Sequence, residues 1–185
     1  MIIFLNGSFG VGKTTVAQHL LRTLPNTLLY DPEEVGLMLR NILSPVDWSG
    51  DFQDYPIWRT LLVDVARMLK DEYKQTLIMP MTIWRTDYFK EVILALSAVD
   101  ADLHHFCLVA PAHLIRQRLI KRGEQQEGDW VFAQIASCVS SFELDLFEER
   151  IDTSDQSPEQ IAKHIVARIA GTALGSKAQL QGQKI

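Results

Sequence analysis

The chain has 185 residues, of which 47% are hydrophobic and 22% charged, and a formal net charge of -5. That composition belongs to one globular domain large enough to bury a core and excludes a disordered or fibrous chain. The mildly acidic balance gives no electrostatic reason to expect nucleic acid or an anionic membrane as main partner, because both reward clustered Lys and Arg.

Residues 1–5, rich in Ile and Phe, read as a buried central strand. Val16, Ala17, Leu20, Leu21 and Leu24 then recur at helical spacing up to Pro25. A second strand is expected over 27–30, followed by a helix carrying Val35, Met38, Leu39 and Ile42 on one face. A loop over 44–55 leads to a longer helix marked by Leu61, Leu62, Val65 and Leu69, and a third strand is expected over 76–81. Phe89, Val92, Ile93 and Leu96 mark another helix, 103–110 another strand, and Ile115 with Leu119 a helix that ends at Arg122-Gly123. The polar, glycine-containing stretch that follows is the expected mobile lid, at about 122–130. A helix through Val131, Ile135 and Val139 precedes a short strand over 150–152. Ser157-Pro158-Glu159-Gln160 then forms a capping box that opens the last helix.

Strands alternating with helices predict an α/β fold of three layers, a parallel sheet with helices on both faces, in a single domain over 1–185. Residues 173–185 are polar and weakly patterned and are expected to form a flexible tail. Cys107 and Cys138 have neither metal-ligand spacing nor a partner pattern for disulfides, which points to a reducing cytoplasm. The first residues carry no signal-peptide pattern, and no segment has the apolar length of a membrane span.

The chemistry-bearing motif lies between the first strand and the first helix. Gly7-Ser8-Phe9-Gly10-Val11-Gly12-Lys13-Thr14 has the spacing of a Walker A phosphate loop, in the strand-loop-helix setting that such a loop requires. Its backbone N–H groups, together with Thr15 at the helix start, are expected to hold the phosphates of a nucleotide at the positive end of the helix. Lys13 is expected to reach the β- and γ-phosphates, and the Thr14 hydroxyl to ligate Mg²⁺. The run 76–81 continues into Thr82 rather than a Walker B carboxylate, and there is no guanine-reading Asn-Lys-x-Asp. Both absences favour a compact kinase-like protein over a GTPase or a mechanical ATPase.

The chain closely resembles the bacterial tunicamycin resistance proteins, a branch of the small P-loop kinase-like group, over roughly residues 1–170. The resemblance rests on Asn6-Gly7 and Phe9-Gly10, Tyr30-Asp31-Pro32-Glu33, Leu39-Arg40 and Asp51-Phe52-Gln53. Tyr55-Pro56, Trp58-Arg59, Pro80-Met81-Thr82-Ile83 and His104-His105-Phe106 carry it further. It implies an ATP-binding P-loop fold with a short lid and protection against tunicamycin, a lipid-linked nucleoside, either by phosphorylating the drug or by holding it without catalysis. Some relatives end in a basic amphipathic extension suited to a membrane; Gln179-Leu180-Gln181-Gly182 gives no such pattern here.

Kinases of this group commonly place a catalytic carboxylate after the second strand, where this chain has Asp31. Two roles stand open for it: base or Mg²⁺-linked group, and N-cap of the helix begun by Pro32, whose N–H bonds would lower its pKa. By the same resemblance Arg118 and Arg122, four apart beside the lid, would meet phosphate on closure. Arg40, Arg59 and Arg85 are expected to bind an acidic acceptor group, with Thr82 at the same cleft. Phe52, Tyr55 and Trp58, with Trp84 and Trp48, are expected to wall the acceptor pocket.

Overall fold

The computed structural model describes residues 1–45, 50–124 and 130–182, with side chains described through residue 171. Five strands, β1 (Ile2–Gly7), β2 (Thr27–Leu29), β3 (Thr76–Pro80), β4 (Leu103–Val109) and β5 (Arg150–Asp152), form one sheet in the order β2-β3-β1-β4-β5. Every pairing is parallel. The connecting helices are α1 (Lys13–Thr23), α2 (Pro32–Leu43), α3 (Pro56–Tyr73), α4 (Thr86–Val99), α5 (Ala112–Lys121), α6 (Trp130–Ser141) and α7 (Pro158–Gly182).

Strand alternation builds a core on each face of the sheet. Ile2 and Phe4 of β1 join Leu77 and Met79 of β3 under α2, α3 and α4, while Ile3, Leu5 and Ile78 face α1, α5 and α7. β1 is buried along its whole length, which accounts for its continuous apolar run. From β1 the chain moves outward to β2, and from β3 it crosses over β1 to β4, so the strand order reverses at the C-terminal end of β1. Parallel sheets bind their ligands at such a switch point.

The buried face of α2 differs from the sequence expectation. Met38 and Ile42 are 48% and 59% exposed, whereas Pro32, Gly36 and Leu39 form the buried line of α2. The displaced stripe has a local cause: an alanine-type Cβ at Gly36 would lie 2.6 Å from the Phe52 ring, so α2 packs through a residue with no apolar signal. The chain expected as a tail from 173 continues α7 to Gly182, and 183–185 lie outside the described residues. The capping box forms as expected: Ser157 N–H donates to Gln160 Oε1 at 2.8 Å, and Gln160 N–H to Ser157 Oγ at 3.2 Å. Among the described residues no helix is long and apolar enough to cross a membrane.

Candidate active site

The end of β1 is clamped before the loop begins. Asn6, fully buried, accepts on Oδ1 from the N–H groups of Gly7 and Ile83, both at 2.9 Å, and donates from Nδ2 to Ile83 O at 2.9 Å. Gly7 then turns with φ 141°, where any Cβ would lie 2.3 Å from Leu108 O, so glycine is required by both conformation and space. At the other end Gly12 caps α1 at φ 111° without a side-chain hydrogen bond. The first turn of α1 therefore opens uncapped onto a cavity of about 360 Å³ lined by Gly12, Lys13, Thr14 and Thr15, as an anion site requires.

Lys13 Nζ donates to Gly7 O and Ser8 O at 2.9 Å and to Thr82 Oγ1 at 2.7 Å. Enclosure of the ammonium lowers its pKa to about 8, and Glu33 is the leading carboxylate acting to raise it, ahead of Asp31. Phe9 lies 6.0 Å from Lys13 Nζ and meets Trp130, the first residue of α6, edge to face at 5.6 Å. Gly10 and Leu119 also line this cavity, whereas Ser8 and Val11 are buried behind it.

Asp31, Glu33 and Arg40 of α2 form the facing wall, with Asp51, Phe52 and Gln53 beside them and Thr82 at the floor. Asp31 Oδ1 accepts from Glu33 N–H at 3.0 Å, so the capping role is real. The expected drop in its pKa is overturned: burial raises it and outweighs the N–H bond. Burial raises the Glu33 and Asp51 carboxyls as well.

Several sequence-predicted residues lie elsewhere. Trp58 is fully buried in the core, with its indole N–H donating to Pro32 O at 3.1 Å, because the first turn of α3 faces the sheet. Arg59 is ion-paired to Glu91 at 2.6 Å, donates to Gln53 O at 2.6 Å and lies over the Tyr88 ring, which uses the guanidinium structurally. Arg85 pairs with Asp54 at 2.8 Å on the other side of Tyr88, and Trp84 packs on the core. Tyr55 ends the 3-10 turn Phe52–Asp54 and does not line the cavity. Arg118 also misses the cavity wall, donating to Val11 O at 3.3 Å and to Thr153 Oγ1 and O at 2.8 and 2.7 Å. Arg122 does line the cavity and pairs with Glu124 at 3.1 Å. Of the lid, residues 125–129 lie outside the described residues, as does Trp48.

Sequence reasoning passed over Glu33, Gln53 and Trp130. Glu33 stood in the helix-opening Asp-Pro-Glu and looked like capping, and Trp130 closed the polar lid stretch. Gln53 entered only within Asp51-Phe52-Gln53, a stretch that carried the family resemblance but gave the residue no role of its own.

The sequence matches the family model described as AAA domain over residues 2–144. No curated protein sequence matches it. Among solved structures, the tunicamycin resistance protein of Deinococcus radiodurans is 32% identical, with a TM-score of 0.77 over 91% of this chain and 94% of that one. A gluconokinase from Sinorhizobium meliloti 1021 is 12% identical at TM-score 0.68, covering 96% of this chain and 95% of its own. A shikimate kinase from Acinetobacter baumannii is 15% identical at TM-score 0.60, covering 92% and 93%. The two kinases share the fold, a P-loop α/β architecture that implies nucleotide binding. With its phosphate loop, its sheet order and this identity together, the chain belongs to the tunicamycin resistance proteins within the AAA-domain family.

Proposed function

We propose that the protein is an ATP-dependent phosphotransferase acting on a tunicamycin-like nucleoside or a related small molecule. The observation that carries this reading is that one cavity joins an uncapped phosphate loop, with Lys13, to a carboxylate wall of Asp31 and Glu33. The loop N–H groups and Lys13 bind the nucleotide phosphates and offset charge that grows as the phosphoryl group transfers. Asp31, with its carboxyl pKa raised by burial, accepts the proton of the attacking acceptor hydroxyl. Arg122, on the cavity wall at the end of α5, is placed to meet phosphate. Arg118 acts from behind the loop through Val11 and Thr153.

The donor set fits Mg²⁺. That ion takes one or two carboxylates and keeps its other positions for phosphates and water. Thr14 and Asp31 line one cavity, and no cluster of three metal-ligating side chains occurs among the described residues. Bound there, Mg²⁺ neutralises phosphate charge. Two free, buried thiols support a cytoplasmic setting.

A second reading, binding of the drug without catalysis, is favoured by the commitment of Asp31 Oδ1 to its helix cap. Incubation with Mg-ATP and tunicamycin followed by mass spectrometry separates the two. A drug that gains one phosphate supports transfer, and an unaltered drug that co-purifies supports sequestration. Neither gain nor binding sinks the tunicamycin assignment. In the transfer case Asp31→Asn abolishes phosphorylation while ATP binding persists.

A further inference from the structure

Resting on the reading of the acceptor as a nucleoside, we infer that Gln53 selects it by reading the polar edge of its base, while Phe52 covers the face. Gln53 is 3% exposed yet lines the cavity that holds Lys13 and Asp31. Three bonds hold it. Nε2 donates to Thr82 O at 2.9 Å, the backbone N–H to Asp51 Oδ1 at 2.9 Å, and the backbone carbonyl accepts from Arg59 Nη1 at 2.6 Å. Arg59 is itself anchored by Glu91. The bond to Thr82 O assigns the nitrogen end of the carboxamide and leaves Oε1 and one Nε2 hydrogen for a ligand. Among the described residues no hydrogen bond to Oε1 is formed, and Gln53 lines the cavity, so that oxygen is assigned to the ligand.

A fixed carboxamide with one acceptor and one donor matches a flat ring that places an N–H beside a carbonyl, the imide edge of uracil being the simplest case. Gln reads bases in this bidentate way elsewhere. Phe52 supplies the flat partner. Its ring is wedged against Gly36 and packs on Trp58 at 5.3 Å between centroids, so it is presented without freedom to swing away. Stacking of a base on such a ring tolerates any base, and the edge contact from Gln53 then chooses among them. A buried amide left unpaired by the wrong ligand rejects it more strongly than added contact rewards the right one. Arg59 thus acts on the acceptor indirectly, as the positioning residue that holds the Gln53 backbone.

Calorimetric titration with uridine, N3-methyluridine and C5-methyluridine tests the assignment. N3-methylation removes the ring N–H, and C5-methylation adds the same bulk while keeping it. The wild type binds uridine and C5-methyluridine alike and N3-methyluridine about tenfold more weakly, the loss of one buried hydrogen bond. Gln53→Met binds uridine and N3-methyluridine equally. Equal binding of all three by the wild type, an equal loss for both methylated probes, discrimination that survives in Gln53→Met, or no binding of uridine each overturns the inference. If tunicamycin is phosphorylated or retained while these probes are not distinguished, Gln53 alone loses its role. If the drug is neither altered nor bound, the nucleoside reading falls as well.

Discussion

Lys13 shows how a single residue sets the conditions under which the loop works. Its ammonium is enclosed by Gly7 O, Ser8 O and Thr82 Oγ1, and its pKa falls from 10.5 to about 8. Below that value the free protein already carries the charge that phosphate needs. Above it, binding must take up a proton, so ADP affinity falls about tenfold per pH unit as pH rises beyond 8, measurable by calorimetry in buffers of differing ionisation heat. The sign for folding is opposite. With the folded pKa below the unfolded one, the cost of the enclosed charge is present in full below pH 8 and is relieved as pH climbs toward 10.5. Lys13→Ala therefore abolishes ADP binding without lowering the melting temperature, which differential scanning calorimetry checks. A variant that melts far earlier would contradict the view of Lys13 as a functional charge held at a folding cost.

At the scale of elements, the sequence named nearly every strand and helix but misjudged the faces where packing goes through residues without apolar signal. β5 over 150–152 and the capping box of α7 were legible because local chemistry dictates them. The buried line of α2 was not, since Gly36 takes the place of an apolar residue to admit Phe52. Trp58 was misplaced for the converse reason: an aromatic beside a loop looks like a pocket wall, yet the first turn of α3 turns it into the core. Gly36→Ala forces the Phe52 ring to move and costs about 1–3 kcal/mol by urea denaturation. It weakens acceptor binding more than ADP binding, because Phe52 is the residue it displaces and the phosphate loop keeps its own anchors in Asn6 and Gly7. Trp58→Ala removes a large core side chain and costs roughly 3–5 kcal/mol in the same assay, an effect on folding that a pocket residue would not have.

Across the whole molecule, the strand order brings the phosphate loop, Asp31 and Thr82 to the C-terminal ends of β1, β2 and β3, and Arg118 of α5 and Arg122 at its end connect that centre to different regions. Sequence spacing placed Arg118 and Arg122 on one helical face and suggested one shared task, but contacts distant in the chain divide them. Arg118 bridges Val11 in the loop and Thr153 after β5, residues 107 and 35 positions away, which no local pattern reveals. Thr153 is almost wholly buried, so removing the guanidinium leaves its hydroxyl and carbonyl without that partner. Arg122 is 65% exposed and forms an ion pair with Glu124, a contact of small worth at the surface. Arg118→Ala thus lowers stability by roughly 1–3 kcal/mol and weakens ADP binding together with it, as the loop loses its brace. Arg122→Ala leaves the melting temperature within about a degree and lowers phosphorylation of the acceptor or ATP-dependent retention of the drug. Parallel melting curves and ADP titrations on the two variants decide the division. Equal losses of stability would return the arginines to a single structural role, and an Arg118→Ala protein of unchanged stability would show that the brace across α5 carries no strain-bearing contact.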